Sequence, residues 1–495
     1  MFIFFQKTVD TYIEIIYNIR RDKEMEESKM ATIDFGNVTC KLQGVDNMDV
    51  LYEIANRLSY TTGGFGAPKQ LHVLFNPKTK MTYTGLIPYI VNILKKHNIS
   101  VTLNDCRKIP VENADYNIVD GITPRDYQQH VFDNASSRMV VQMATGAGKT
   151  LVLAGMIADF SVKPVIVLSP KATLAYQLRD EIAKFLGEDV GILTGSESNI
   201  KDITVVTPQT ALKSHILEEA KALLVDECQF LGAHTLFMVA KKARNAYYRC
   251  AVSATPWRDG NDDLLIEAAI NVRNPKSNVN ASTLIRKGKL TPCKIAFVKQ
   301  EDTCGWLGSY AKTYDTAIVE NEARNEKVMK LIDKSIKNND GSILVLFGRI
   351  KHGMKLFNMI KQRFDYSPVD VTYKGQVYHL HTTELIDGAT DMDMRNAILE
   401  GARQEKVKIL LGSTIADEGL DCPALKVLIL TASGKSSTRA FQRVGRVLRL
   451  YKGRNLAHVY DFMDMNKTFY KHFLYRKALY CTEPEWKKNM SVINL

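Results

Sequence analysis

The run from Val140 to Thr150, Val-Val-Gln-Met-Ala-Thr-Gly-Ala-Gly-Lys-Thr, limits what this chain can fold into more than any other stretch. A short apolar segment, Met139 to Met143, stops at a glycine-bearing turn. An apolar, helix-like segment then starts at Lys149 and carries Leu151, Val152, Leu153 and Met156. Strand, loop and helix in that order build a phosphate cradle. Gly146 and Gly148 let backbone N–H groups close on phosphate oxygens, and the helix N-terminus adds positive potential. Thr145 and Ala147 complete the loop. Lys149 is placed for the β/γ-phosphates and the Thr150 hydroxyl for Mg²⁺. The full pattern G-x-x-x-x-G-K-[ST] wants glycine at position 143, where this chain has Met143.

A chain of 495 residues has room for about three domains, each with its own core. The apolar fraction of 45% and charged fraction of 24% are those of an ordinary globular protein. The net charge of +12 favours a polyanionic partner, most simply nucleic acid. Eight scattered cysteines include no C-x-x-C pair, so neither a zinc site nor a disulfide framework is indicated, and a reducing, cytoplasmic setting fits. The start, Met1-Phe-Ile-Phe-Phe5, is too short to span a bilayer and is soon followed by Asp10 and Glu14. It also lacks the basic start and small-residue cleavage site of a signal peptide. Met30-Ala-Thr-Ile33 reads as a natural start, and Lys23-Glu-Met-Glu-Glu27 is what a purine-rich ribosome-binding sequence gives on translation. Residues 1–29 are therefore expected to be a non-native or disordered extension.

From residue 30 to 119 the chain is a small mixed α/β accessory domain without a catalytic motif. Leu71 to Phe75 reads as a strand, Gly85 to His97 as an amphipathic helix, and Gly63-Gly-Phe-Gly66 as a turn or mobile loop. Lys69, Lys78, Lys80, Lys95 and Lys96 can touch phosphate or simply face solvent. Between about 120 and 275, strand and helix signals alternate at βαβ spacing, which implies a parallel sheet. Its strands are expected at 138–143, 164–169, 203–207, 222–226 and 250–253. An Asn-, Lys- and Pro-rich stretch begins a linker, placed at 276–295. Alternation resumes over 296–495, with strands at 343–347, 377–380, 407–411 and 425–430 and helices near 351–364 and 391–403. The fold class is α/β, with two lobes in series.

Ala222-Leu-Leu-Val-Asp226-Glu227 is an apolar strand ending in two carboxylates. Beside a phosphate loop, such a strand end supplies an anionic ligand for Mg²⁺, here Asp226, and a base for the attacking water, here Glu227. With Cys228 and Gln229 the segment resembles the DExH signature of superfamily two helicases, and further motifs of that family occur in order. Arg125-Asp-Tyr-Gln128 resembles the adenine-recognising Q motif, with Gln128 as the reading amide. Ser169-Pro170-Lys171 and Thr207-Pro208-Gln209 resemble motifs Ia and Ib, which face nucleic-acid backbone in the family. Ser253-Ala254-Thr255 resembles the segment that couples hydrolysis to strand movement. Leu344 to Arg349 resembles motif IV. Gly412-Ser-Thr414 through Gly419-Leu-Asp421 resembles motif V, and Gln442-Arg-Val-Gly-Arg446-Val-Leu-Arg449 resembles motif VI.

The resemblance implies two RecA-like lobes in tandem, ATP and Mg²⁺ as cofactors, and arginines from the second lobe, Arg446 and Arg449, that reach one target and stabilise charge on the transferring phosphoryl. It implies nucleotide contacts at Gly419 and Asp421, nucleic-acid contacts at Pro170, Lys171, Thr207, Pro208, Gln209, Arg349 and Thr414, and coupling through Gln229, Ser253, Ala254, Thr255 and Gln442. Gln229 stands where most such motifs end in histidine; glutamine still hydrogen-bonds in both directions. Ser433-Gly-Lys-Ser436 imitates a second phosphate loop, but no Asp-Glu strand follows it and the motif VI helix begins directly after it. Within the superfamily the chain is similar to UvsW-type phage helicases over about residues 33–479. That likeness implies a DNA helicase working on forks or four-way junctions in replication, recombination or repair; a monomer is expected. An RNA helicase is the rival reading, although the DEAD-box sequences P-T-R-E-L and D-E-A-D are absent. A third is the duplex-translocating motor of a restriction complex, for which no nuclease constellation is visible.

Overall fold

The structure, a computed structural model, describes residues 30–63, 68–229, 233–256, 263–272, 278–413, 422–432, 434, 437–451, 453 and 455–495, with only the backbone of 437–439. It divides into two units, the first up to 143 and over 148–279, the second over 144–147 and 280–495.

The first unit opens with β1 (Met30–Phe35), β2 (Thr39–Gln43), β3 (Ser59–Thr62), β4 (Gln70–Val73), β5 (Met81–Tyr83) and β6 (Ser100–Asp105). Four of these form a sheet in the order β5-β2-β1-β6, while β3 and β4 pair as a separate antiparallel hairpin. In place of one helix over Gly85–His97, the chain makes a short 3-10 turn at Thr84–Leu86 and then the helix Ile87–Lys96, which buries Ile90, Val91, Ile93 and Leu94. The remaining strands are β7 (Arg138–Met143), β8 (Val165–Leu168), β9 (Gly191–Leu193), β10 (Ser198–Asn199), β11 (Ile203–Val206), β12 (Ala222–Asp226), β13 (Tyr248–Ser253) and β14 (Asn278–Val279). They make one sheet in the order β10-β9-β11-β8-β12-β13-β7-β14, parallel except where β10 meets β9. Every residue of β8 and β11 is buried, as expected of strands covered on both faces.

The accessory segment does not stand apart from this sheet's layers. Its apolar residues and those of helices Ala233–Lys242 and Asp263–Ala269 belong to one buried cluster. Tyr89 donates from its hydroxyl to Glu267 Oε2 at 2.8 Å, and Arg138 donates to the Asn37 carbonyl at 2.8 Å. A Cβ on Gly85 would collide with the Glu267 carbonyl oxygen, so that close approach needs glycine.

The second unit contains β15 (Cys293–Gln300), β16 (Ser342–Phe347), β17 (Pro368–Tyr373), β18 (Gln376–His381), β19 (Thr383–Ile386), β20 (Ile409–Ser413), β21 (Leu425–Leu430), β22 (Ala457–Asp464) and β23 (Met490–Ile493). Seven form a parallel sheet in the order β19-β20-β16-β21-β22-β15-β23. The strand expected at 377–380 exists, but as β18 it leaves that sheet and pairs antiparallel with β17. Lys374 and Gly375 take positive φ (49° and 79°), so the chain reverses tightly there. Val371 and Leu380 are buried, and a Cβ on Gly401 of helix Met392–Arg403 would meet their side chains at 3.0 and 3.6 Å. The place in the sheet goes to β19.

The expected linker at 276–295 is also ordered where it is described. Val279 pairs with Met143 at the edge of the first sheet. Asn280 caps helix Ala281–Arg286, accepting from the Thr283 amide at 2.8 Å. The Glu483 carboxylate accepts from the Ala281 and Ser282 amides at 3.0 and 2.8 Å, satisfying further N–H groups of that helix start. No described helix is long and apolar enough to cross a membrane.

Candidate functional site

Apart from Arg125 to Gln128, which opens the helix Asp126–Asp133 ahead of β7, the candidate motifs up to Thr255 leave the carboxyl ends of parallel strands, the edge where open α/β sheets bind ligands. The phosphate loop follows β7, Ser169-Pro170-Lys171 follows β8, Thr207-Pro208-Gln209 follows β11, Glu227 follows β12, and Ala254-Thr255 follows β13. β12 lies between β8 and β13, and β13 pairs with β7, so these ends are neighbours.

In the loop, Gly146 and Gly148 both have positive φ (85° and 78°), and the Ala147 amide donates to the Ala144 carbonyl at 3.0 Å. Gly148 is the left-handed residue from which helix Lys149–Phe160 starts, and a Cβ there would strike the Gln128 amide nitrogen. Gln128 is buried, and its side chain bonds at both ends. Its Oε1 accepts from the Arg125 amide at 2.8 Å, closing a capping box, and its Nε2 donates to the Gly148 carbonyl at 3.3 Å. Gln128, the residue expected to read adenine, is thereby also tied to the phosphate loop.

Lys149 forms an ion pair with Glu227, both side chains mostly buried. Glu227 in turn accepts from Gln229 Nε2 at 2.8 Å, while Gln229 Oε1 accepts from the Ser253 hydroxyl. The Thr255 amide donates to Ser253 Oγ at 2.9 Å. Lys149, Glu227, Gln229, Ser253 and Thr255 are therefore one hydrogen-bonded chain from the phosphate loop to the end of β13. Glutamine makes the two-way contact that a histidine would otherwise provide. Ala254 and Thr255 are buried beside it, and Thr150 is half-buried one residue beyond Lys149. Burial, reinforced by the neighbouring Glu227 charge and opposed by Lys149, pushes the Asp226 carboxyl well above its usual range. A carboxylate so placed is held back from ionising until a cation meets it. The donor set suits Mg²⁺, which typically takes one or two carboxylates and completes its shell with phosphate and hydroxyl oxygens. Among the described residues no group of three or more His, Cys, Asp or Glu could hold a metal unaided.

Of the residues expected to face nucleic acid, Lys171 and Gln209 are exposed and Pro170 is half-buried. Lys171 and Thr207 precede the first turns of helices Ala172–Leu186 and Pro208–Lys213, with Pro208 at the first helical position. In the second unit, Arg349 precedes helix Ile350–Arg363, pairs with Asp315 and lies 4.8 Å over the Tyr314 ring. Thr414, Gly419 and Asp421 lie outside the described residues. So do Ser433, Lys435 and Ser436 of the imitation loop, whose Gly434 carbonyl accepts from Arg476 at 3.0 Å.

Helix Ser437–Val447 carries buried Gln442 and half-buried Arg446, and Arg449 follows two residues after its end. The way this end is fixed escaped the sequence reading. Lys426, fully buried in β21, donates to the Val447 carbonyl at 3.4 Å, to Thr291 Oγ1 at 3.2 Å and to the Arg449 carbonyl. The Thr291 amide takes the Leu448 carbonyl at 2.6 Å. A cation thus caps the terminal carbonyls of the arginine-bearing helix. The signal was present: Leu-Lys-Val-Leu-Ile-Leu is an apolar strand with one cation inside it.

Residues 121–258 match the family description "Type III restriction enzyme, res subunit", and residues 323–451 match "Helicase conserved C-terminal domain". The DNA 3'-5' translocase XPB2 of Sulfurisphaera tokodaii is 26% identical over 353 residues, which span 67% of this chain and 80% of that protein. The ATP-dependent DNA helicase uvsW of Enterobacteria phage T4 is 23% identical over 367 residues, 69% of each chain. Among solved structures, a fragment of a putative HsdR subunit of a type I restriction enzyme from Vibrio vulnificus matches with a TM-score of 0.52 and 15% identity, covering 92% of this chain and 85% of that one. S. cerevisiae Dbp5 bound to RNA and ADP BeF3 matches at 0.51 and 14% identity, covering 75% and 90%. At these identities the two structures speak for the fold alone, a tandem of RecA-like lobes. The chain belongs to the superfamily two helicases and stands near their UvsW-type members.

Proposed function

We propose that this protein is an ATP- and Mg²⁺-dependent DNA motor that unwinds or branch-migrates forks and four-way junctions, acting as a monomer in the cytoplasm of a phage-infected host. The observation that carries this reading is the hydrogen-bonded chain from Lys149 through Glu227, Gln229 and Ser253 to Thr255. It supports a direct link between the state of the γ-phosphate and the end of β13. In this reading Lys149 and the loop amides bind the β/γ-phosphates, Thr150 and Asp226 hold the dication, and Glu227 accepts a proton from the attacking water. Mg²⁺, when bound, supplies charge neutralisation on the phosphate oxygens. Arg446 and Arg449 stabilise the transferring phosphoryl, so Arg449→Ala should lower kcat on the order of 10³-fold with nucleotide affinity little changed.

DNA is favoured over RNA because the named relatives XPB2 and uvsW are DNA translocase and DNA helicase. Phosphate contacts position a protein without specifying its site, so branch preference needs a separate reader. The accessory segment supports that role through exposed Lys69, Lys78 and Lys95 and the outlying β3–β4 hairpin. Strand displacement on forked DNA, forked RNA and unbranched duplex, each with ATPase readout, tests the reading. Fork DNA should be separated fastest, and a Lys69→Ala, Lys78→Ala, Lys95→Ala triple variant should lose fork preference. The match to a restriction-enzyme family description favours a second reading, duplex translocation without strand separation. ATPase stimulated by unbranched duplex with no displaced strand would select it.

A further inference from the structure

In the second unit, the loop after β15 holds Trp306 with 54% of its surface exposed, whereas Trp486 is fully buried. Both neighbours of Trp306 are tied down. The Gly305 amide donates to Asp302 Oδ1 at 3.0 Å, and its carbonyl accepts from Asn466 Nδ2 at 2.8 Å. On the other side, the Leu307 amide donates to Thr313 Oγ1 at 3.0 Å. Asn466 is itself anchored as the cap of helix Lys467–Tyr480, accepting from the Thr468 amide at 3.2 Å. An exposed indole on a pinned backbone loses little entropy when something stacks on it.

The helix that follows this loop brings further rings to the same sheet edge. Tyr310, 41% exposed, lies 5.9 Å from the Tyr314 ring and 6.1 Å from His472. Arg349 covers Tyr314, so Tyr310 and the guanidinium flank the same ring. The loops concerned follow β15, β16 and β22, all at the carboxyl edge of one parallel sheet. Exposed rings beside the Arg349 guanidinium, which Asp315 holds over Tyr314, on a chain of net charge +12, complement a single strand's bases and phosphates together.

We propose that Trp306, with Tyr310 and Arg349 at the same carboxyl edge of the sheet, is a stacking platform for an unpaired base of a nucleic-acid strand. This deepens the motor reading and rests on it: the platform gives the second unit a grip on bases that is independent of sequence, since every base has a π-face.

The test is binding of a single-stranded oligothymidylate, followed by tryptophan emission and by anisotropy of a labelled strand. The wild type, Trp306→Phe and Trp306→Ala are compared after each shows the same cooperative thermal transition. Stacking should quench wild-type emission on binding, and most of that quenching should vanish in Trp306→Phe while affinity stays within about threefold. Trp306→Ala should weaken binding roughly 10- to 100-fold, the loss of one stacked base. Because Trp257 is also an emitter, it is the size of the quench that decides: quenching undiminished in Trp306→Phe, or an alanine variant binding as tightly as wild type, overturns the platform and leaves the motor untouched. A wild type that neither binds the strand nor raises its ATPase with it overturns both.

Discussion

Glu227 takes φ 48°, a left-handed conformation that costs a residue with a side chain on the order of 1–3 kcal/mol. Its amide donates to the Val252 carbonyl at 2.9 Å, which helps hold the strained turn against β13. That turn aims the carboxylate at both Lys149 and Gln229. Glu227→Gln should therefore keep nucleotide affinity within a few fold and lose about 10²- to 10⁴-fold in kcat, the usual worth of a general base. Equal loss of binding, measured with a fluorescent nucleotide, would show that Glu227 serves the ligand and not the water. Gln229→Leu should spare most nucleotide binding but cut the chain to Ser253, lowering strand separation per ATP hydrolysed. A variant that keeps wild-type coupling would show that the bridge is structural only.

At the scale of elements, the Lys426 clamp makes a claim that pH can test. Burial pushes the Lys426 ammonium down from 10.5 to about 8. The native protein thus sheds this proton near 8, while the unfolded chain keeps it to about 10.5. Between those values the unfolded state binds more protons, so stability conferred by the native lysine rises with pH. The Tm of wild type minus that of Lys426→Met should shift in favour of wild type between pH 7.5 and 9.5. A constant gap would mean that Lys426 is not a buried cation. Elements differ in how openly the sequence declares them. β7, β12 and β21 were readable to the residue because apolar runs ending at loops have few other uses. β22 was not, because Asp461 and Asp464 break its apolar pattern. Their partners, Arg476 and Arg324, come from helices 15 and 140 residues away in sequence, which no local pattern reveals. The phosphate loop and its carboxylates were legible as motifs, but the holding of Gly148 by Gln128 and of the arginine helix by Lys426 depends on packing.

For the whole molecule, the accessory segment belongs thermodynamically to the first unit. A chain shortened to begin near Ile118 would uncover Leu264, Leu265 and Phe237, which now share a cluster with Ile87 and Ile90. Its Tm should fall by roughly 10 °C or more, given a few degrees per kcal/mol for a domain of this size. An unchanged Tm would show the segment to be an independent appendage. The central claim, that a nucleotide site built on Lys149 and Glu227 drives a nucleic-acid motor, is tested most directly by steady-state ATPase. The rate should be measured without nucleic acid and with single-stranded, duplex, forked and four-way DNA, for wild type and Lys149→Ala in parallel. The account predicts turnover that rises at least several-fold with DNA, most with forks or junctions, and falls to background in Lys149→Ala under every condition. Turnover indifferent to all four DNAs, or equal turnover in the pure Lys149→Ala protein, would contradict it.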